Sequence, residues 1–219
     1  MSSTSLRPAI TLPGPWHGVV FDMDGLLVHT ERQWLEAKLE LFRRYDRELT
    51  AADKAAVFGS ADLQTVTYFA QRFGLPSERV PELQREYLAI VGELIDDGVE
   101  ITAGATELVD RLRRRVPIGL ASNTRRTLVD RILGHTPFEG WFGAIATGDE
   151  VAPKPAPDVY LLACQRIGVE PGKGVAVEDS PTGVKAAHAA GLACIGVPSD
   201  CDHPLAEADY QVESLMELL

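Results

Sequence analysis

Four short apolar runs along the chain each stop abruptly at polar groups. Gly18-Val19-Val20-Phe21 runs into Asp22-Met23-Asp24-Gly25, Pro117 to Ala121 into Ser122-Asn123-Thr124, Ala144 to Thr147 into Gly148-Asp149, and Gly174 to Val177 into Glu178-Asp179-Ser180. Runs this short, rich in β-branched residues and bounded by turn formers, predict buried strands that end in loops. Between them, helical periodicity predicts helices over Ala105 to Arg115, Thr124 to Leu133, Pro157 to Ile167 and Pro181 to Ala190, the last two opening on proline. Ala193 to Val197 and Tyr210 to Val212 predict two more short strands, and an amphipathic segment from Glu213 closes the chain. Regular alternation of strand and helix predicts an α/β fold with a mostly parallel sheet covered on both faces. The strand C-termini of such a sheet line one crevice.

From about Glu31 to Asp97 the alternation breaks. Three helical patterns follow one another: Trp34, Leu35, Leu39, Phe42 and Tyr45; then Leu63, Val66, Phe69 and Phe73; then Leu83, Tyr87, Val91 and Leu94. Gly98 suits the end of the last helix, and the chain re-enters the alternating part near Thr102. The predicted organisation is a flexible tail at 1–15, a core made of 16–29 and 100–219, and a helical insertion at 30–99.

Composition narrows the function classes. At 219 residues the chain can bury a full core. Its net charge of -11 argues against nucleic-acid binding, which needs a basic face. An anionic substrate would have to be met by a local cation, and a bound metal would supply one. Cys164, Cys194 and Cys201 form no CxxC pair, which fits reduced thiols in a cytosol. The five histidines lack HExxH spacing, so a zinc site is not expected. The Ser- and Pro-containing first fifteen residues do not read as a signal peptide, and no later run has the apolar length of a membrane span. The expectation is a soluble, cytoplasmic protein acting on a small molecule, with no membrane or nucleic-acid partner. Oligomeric state is not legible, and a monomer suffices.

The strand ends carry the candidate chemistry. In Asp22-Met23-Asp24-Gly25, two carboxylates two residues apart allow one to attack phosphorus while the other gives a proton, with Gly25 permitting the turn. A lone DxD also serves simply to cap a turn. Ser122, Asn123 and Thr124 precede a helix, where a hydroxyl and backbone N–H groups hold phosphate oxygens, although the same residue types are ordinary N-caps. Lys154 stands between Pro153 and Pro155, a stiff frame for a cation that otherwise reads as a surface lysine. Glu178 and Asp179, brought near Asp22 and Asp24, would repel unless a divalent ion bound them. An all-oxygen set suits magnesium, while Asp179 and Ser180 alone read as N-cap chemistry.

Together these elements resemble the haloacid dehalogenase superfamily of phosphohydrolases. The resemblance runs from about Gly18 to Val197: DxDGxL, a Ser-containing strand end, a proline-framed lysine, and an acidic pair before Ser-Pro-Thr-Gly-Val-Lys-Ala-Ala-His-Ala-Ala-Gly. The insertion after the first motif looks like the helical cap of the subfamily that contains β-phosphoglucomutase and sugar-phosphate phosphatases. The resemblance implies a Rossmann-like core and a magnesium-dependent phosphatase working through an aspartyl-phosphate on a small phosphorylated metabolite, such as a sugar phosphate. It assigns Asp22 as nucleophile and Asp24 as acid and then base. Ser122, Asn123 and Lys154 would bind phosphate, and Asp22, the Asp24 carbonyl, Asp179 and Glu178 would hold the metal. Trp34 and Gly59 are candidate substrate contacts in the cap. Trp34 stands where mutases of the subfamily carry a histidine, and Gly59-Ser60-Ala61-Asp62 lacks their arginine, so a sugar phosphomutase is the runner-up. A binding protein that kept the fold without turnover is the alternative of another class. His29 stands near the expected hinge, in place of the usual Asp or Asn.

Overall fold

The computed structural model describes residues 16–57, 60, 62–198 and 205–219. The tail at 1–15, Gly59, Cys201 and His203 lie outside the described residues. Six strands form one parallel sheet: β1 at Gly18–Phe21, β4 at Ile118–Ser122, β5 at Ala144–Thr147, β6 at Gly174–Glu178, β7 at Ala193–Gly196 and β8 at Tyr210–Gln211, in the spatial order β5-β4-β1-β6-β7-β8. The alternation along β1 divides its side chains between two cores, as the two-residue period of a strand requires. Val19 and Phe21 face one core with Leu108, Val109 and Leu112 of α5 (Ala105–Arg113) and with Leu128, Val129, Ile132 and Leu133 of α6 (Arg126–Gly134). Val20 faces the other, with Val159, Tyr160 and Ala163 of α7 (Asp158–Ile167) and Val184, Ala186 and Ala187 of α8 (Pro181–Ala190). Burial on both faces is why these strands read as continuous apolar runs.

The helical insertion comprises α1 (Glu31–Arg44), α2 (Ala51–Ala56), α3 (Asp62–Phe73), a 3-10 turn at Ser77–Arg79 and α4 (Val80–Asp96). Phe42, Phe69 and Phe73 pack edge to face, with ring centroids 4.9 Å apart for both Phe42 contacts. This aromatic cluster continues the α5/α6 core without a break. Where the chain leaves and re-enters the sheet domain, β2 (Val28–His29) and β3 (Glu100–Ile101) pair antiparallel as a two-residue ribbon.

Three details differ from expectation. Helix α2, with the sequence AADKAA, has no apolar stripe, so periodicity does not predict it; a capping box at its start, in which Thr50 and Asp53 exchange hydrogen bonds, defines it instead. The ribbon β2/β3 is too short to show periodicity. The expected closing amphipathic segment is a 3-10 helix at Leu215–Leu218. Among the described residues, no helix is long and apolar enough to cross a membrane.

Candidate active site

Strand order assembles the site. Because β4 and β6 flank β1 in parallel, the residues at the ends of these three strands meet at one edge. Asp22 follows Phe21 directly, Ser122 closes β4 and Glu178 closes β6. Lys154 reaches the same point from the loop after β5. Its Nζ lies 2.5 Å from Asp22 Oδ1 and 2.6 Å from Glu178 Oε1, with all three side chains buried. Tyr160 of α7 donates its hydroxyl to Glu178 Oε1 at 2.5 Å, and Lys154 Nζ stands 4.9 Å from the centre of its ring. The other oxygen of Glu178 accepts from the backbone N–H of Asp179 and Ser180 and from the Ser180 hydroxyl, at 3.1 to 3.3 Å. Ser180 in turn caps α8 by accepting from Gly183 N at 3.0 Å.

A second group surrounds Asp24. Thr30 donates to its Oδ1 at 2.6 Å, and Ser122 and Thr124 donate to its Oδ2 at 3.2 and 2.9 Å. The side chain of Asn123 grips the backbone of Lys154: Oδ1 accepts from Lys154 N at 2.7 Å and Nδ2 donates to Lys154 O at 3.2 Å. The lysine loop is therefore fixed to the loop after β4, in addition to its proline frame. The fourth polar strand end plays another part, since Asp149 accepts from Arg126 N at the start of α6.

Electrostatically the site carries too much negative charge. Burial raises the Asp22 carboxyl well above the ordinary range; Lys154 pulls it down, but Glu178, Asp179 and Asp24 push it further up. Burial also works against the Lys154 ammonium, yet Asp22 and Glu178 overcome it and hold its proton more tightly than usual. Oxygens of Asp22, Glu178 and Asp179 lie within 4.8 Å of one another. Such a set of carboxylate oxygens beside a single buried ammonium fits a hard divalent cation. Gly25, at φ +84°, supports it sterically, because a side chain there would collide with the Asp179 carboxylate.

Of the remaining expected residues, Trp34 lies half-buried on α1 and packs on Tyr87 of α4, ring centroids 5.9 Å apart. Gly59 falls outside the described residues. His29 lies on the ribbon with Nε2 3.4 Å from Thr102 Oγ1 and Nδ1 4.0 Å from Glu31. Nothing in the sequence singles out Tyr160 and Thr30, which the structure brings to the site. Tyr160 occupies a core-facing helical position that looks like any packed aromatic, and Thr30 looks like a helix start. A groove of about 580 Å³ between α1 and α4 lies away from these groups, with Glu36, Leu39, Glu40 and Leu94 in its walls.

At its strand ends the parallel sheet thus holds a buried cluster of carboxylates around one lysine. The chain belongs to the haloacid dehalogenase-like hydrolases, whose family model matches residues 16–191. It is 32% identical over 207 residues to validoxylamine A 7′-phosphate phosphatase of Streptomyces hygroscopicus subsp. limoneus, covering 91% of this chain and 94% of that one. It is 29% identical over 207 residues to a bifunctional riboflavin kinase/FMN phosphatase of Arabidopsis thaliana, covering 91% of this chain but only 54% of that longer protein. A similar solved structure is that of a mutant form of CbbY of Rhodobacter sphaeroides in complex with xylulose-(1,5)bisphosphate. Its TM-score is 0.83 at 26% identity, covering 93% of this chain and 96% of that one.

Proposed function

We propose that this hydrolase is a magnesium-dependent phosphatase of a small phosphorylated metabolite, in the class of sugar phosphates, and that Asp22 is its nucleophile. The observation that carries the reading is the pairing of Asp22 with Lys154 at the sheet edge, beside a second carboxylate, Asp24, that is held separately. Relatives named as phosphatases of validoxylamine A 7′-phosphate and of FMN support the reaction class. The xylulose-(1,5)bisphosphate held by the CbbY mutant supports a sugar phosphate.

In this reading an Asp22 carboxylate oxygen attacks phosphorus and the ester P–O bond breaks. Asp24, in its acid form, gives its proton to the departing alcohol oxygen. It then takes a proton from water, whose oxygen attacks phosphorus, breaks the bond to Asp22 and releases inorganic phosphate. The hydroxyls of Thr30, Ser122 and Thr124 can donate to Asp24 or accept from it, so they hold it in either protonation state. Lys154 and Ser122 hold the phosphoryl oxygens. Asn123 contributes by fixing the Lys154 loop with its side chain, and its backbone N–H would donate to the phosphate. Asp22, the Asp24 carbonyl, Asp179 and Glu178 would hold magnesium, which supplies positive charge that lets an anionic nucleophile approach an anionic ester.

Residues 30–99 act as a cap that covers the crevice and excludes water, with the β2/β3 ribbon as hinge. Trp34, packed on Tyr87, would be the substrate contact offered by this cap. The buried free thiols of Cys164 and Cys194 suit a reducing cytoplasm.

The test is phosphate release from an aryl phosphate and from a panel of sugar phosphates, nucleotides and phosphorylated acids, with and without magnesium. Turnover that requires magnesium and falls at least about 10³-fold in Asp22→Asn is expected. A folded wild-type protein with no turnover in either condition would make the chain a binding protein. Isomerisation of a sugar phosphate faster than hydrolysis would make it a mutase.

A further inference from the structure

Ion pairs join the helical insertion to the core, Asp96 of α4 with Arg131 of α6 among them, and one of them lies next to the loop after β4. Arg125 follows Thr124, whose hydroxyl touches Asp24, and it forms the N-cap of α6. Its Nε donates to Asp62 Oδ2 at 2.6 Å, and Asp62 is the first residue of α3. Gln84 of α4 donates to the same oxygen at 2.9 Å, so the carboxylate is held from two sides. The Asp62 charge also acts on the Tyr87 hydroxyl, and Tyr87 is the residue on which Trp34 packs. Asp62, Gln84, Tyr87 and Trp34 thus form one patch of the insertion, with its negative charge set against Arg125, which follows Ser122-Asn123-Thr124.

In the phosphatase reading the leaving alcohol oxygen lies at Asp24, which Thr124 touches, so the alcohol part of an ester held at Asp22 comes near Arg125 and its partner Asp62. A second anion on that alcohol would have to displace Asp62 from Arg125 and then lie beside the displaced carboxylate. A neutral polyhydroxy alcohol meets no such conflict, and its hydroxyls can hydrogen-bond to both groups. We propose that Asp62 is a specificity-determining charge filter, selecting phosphate monoesters whose alcohol part carries no second anion. The proposal rests on the phosphatase reading for where the ester lies.

The experiment compares fructose 1-phosphate with fructose 1,6-bisphosphate, using wild type, Asp62→Asn and the double variant Asp62→Asn/Arg125→Gln. Asn keeps the size of Asp62 and can still accept from Gln84. The wild type should prefer the monophosphate in kcat/KM, and Asp62→Asn should narrow that preference about tenfold, through KM for the bisphosphate. The gain should vanish in the double variant, because it needs the freed Arg125, and it should shrink as salt rises. An unchanged ratio in Asp62→Asn, or an equal change for both esters, would overturn the filter and leave a mechanical latch. Calorimetric binding of both esters, on Asp22→Asn with and without Asp62→Asn, separates the two proposals. A shifted affinity ratio without turnover in the wild-type enzyme would keep the filter and remove the phosphatase; turnover with an unshifted ratio would do the reverse.

Discussion

Two buried aspartates in this molecule have opposite electrostatic fates. Asp53, in the helical insertion, is 1% exposed. Its oxygens accept from Arg72 Nε at 2.5 Å, from the Tyr68 hydroxyl at 2.7 Å, and from the hydroxyl and N–H of Thr50 at 2.7 and 3.0 Å. The Arg72 hydrogen bond, helped by Thr50 and Tyr68, overcomes burial and holds its carboxyl well below the usual range. Asp22, at 7% exposed, has one ammonium and three carboxylates for neighbours, and its carboxyl is driven upward. A structural carboxylate is satisfied by its own surroundings. The proposed reactive one is left with a deficit of positive charge that a cation and a phosphate ester complete only on binding.

The contrast can be broken experimentally, starting where the effect is greatest. Lys154→Met removes the ammonium shared by Asp22 and Glu178, and activity should fall by about 10²- to 10³-fold. The same change leaves two buried carboxylates without their cation, so urea unfolding of the metal-free protein should show a loss of about 3–5 kcal/mol. Unaltered turnover would remove Lys154 from the site. Magnesium comes next: at about one hundred times its dissociation constant it should stabilise the wild type by about 2.7 kcal/mol, seen as a higher Tm that a chelator reverses. Asp179→Asn should reduce that rise, whereas Asp53→Asn should leave it intact.

The smallest effect belongs to Asp53→Ala, with an expected cost of about 1–2 kcal/mol at neutral pH from the lost cap and hydrogen bonds. Because the folded-state pKa of Asp53 is depressed, the unfolded chain binds its proton first as pH falls. The stabilisation is therefore present above about pH 5 and lost progressively below about pH 4. In urea unfolding, the gap between wild type and variant should start to narrow as pH falls below about 4 and keep narrowing as the pH is lowered further; a gap independent of pH would mean that Asp53 acts through packing alone.

How much of this was legible in the sequence followed from periodicity and punctuation. Strands β1, β4, β5 and β6 announce themselves because parallel strands buried on both faces are unbroken apolar runs, and their polar ends mark Asp22, Ser122 and Glu178. Spacing does not reveal which end faces which. The order β4-β1-β6 decides that, and it is a property of the whole sheet. Tyr160 was hidden because a hydroxyl on a core-facing helical aromatic is indistinguishable in sequence from plain packing. Thr50-Ala-Ala-Asp53 does carry a local signal, a capping box with Asp in place of the usual Glu, and it would have located α2. The Asp62–Arg125 pair, 63 positions apart, has no such signal.

The short ribbon of β2 and β3 brings the outgoing and returning chain side by side, with Val28 opposite Ile101 and His29 opposite Glu100. Everything threaded between them starts and finishes at one spot on the sheet domain. Such a block can be lengthened, trimmed or exchanged for another without rerouting the strands beneath, because adjacent ends make an inserted segment topologically independent of its host. The ribbon thus works as a graft junction, through which a fixed reaction centre can be fitted with different roofs.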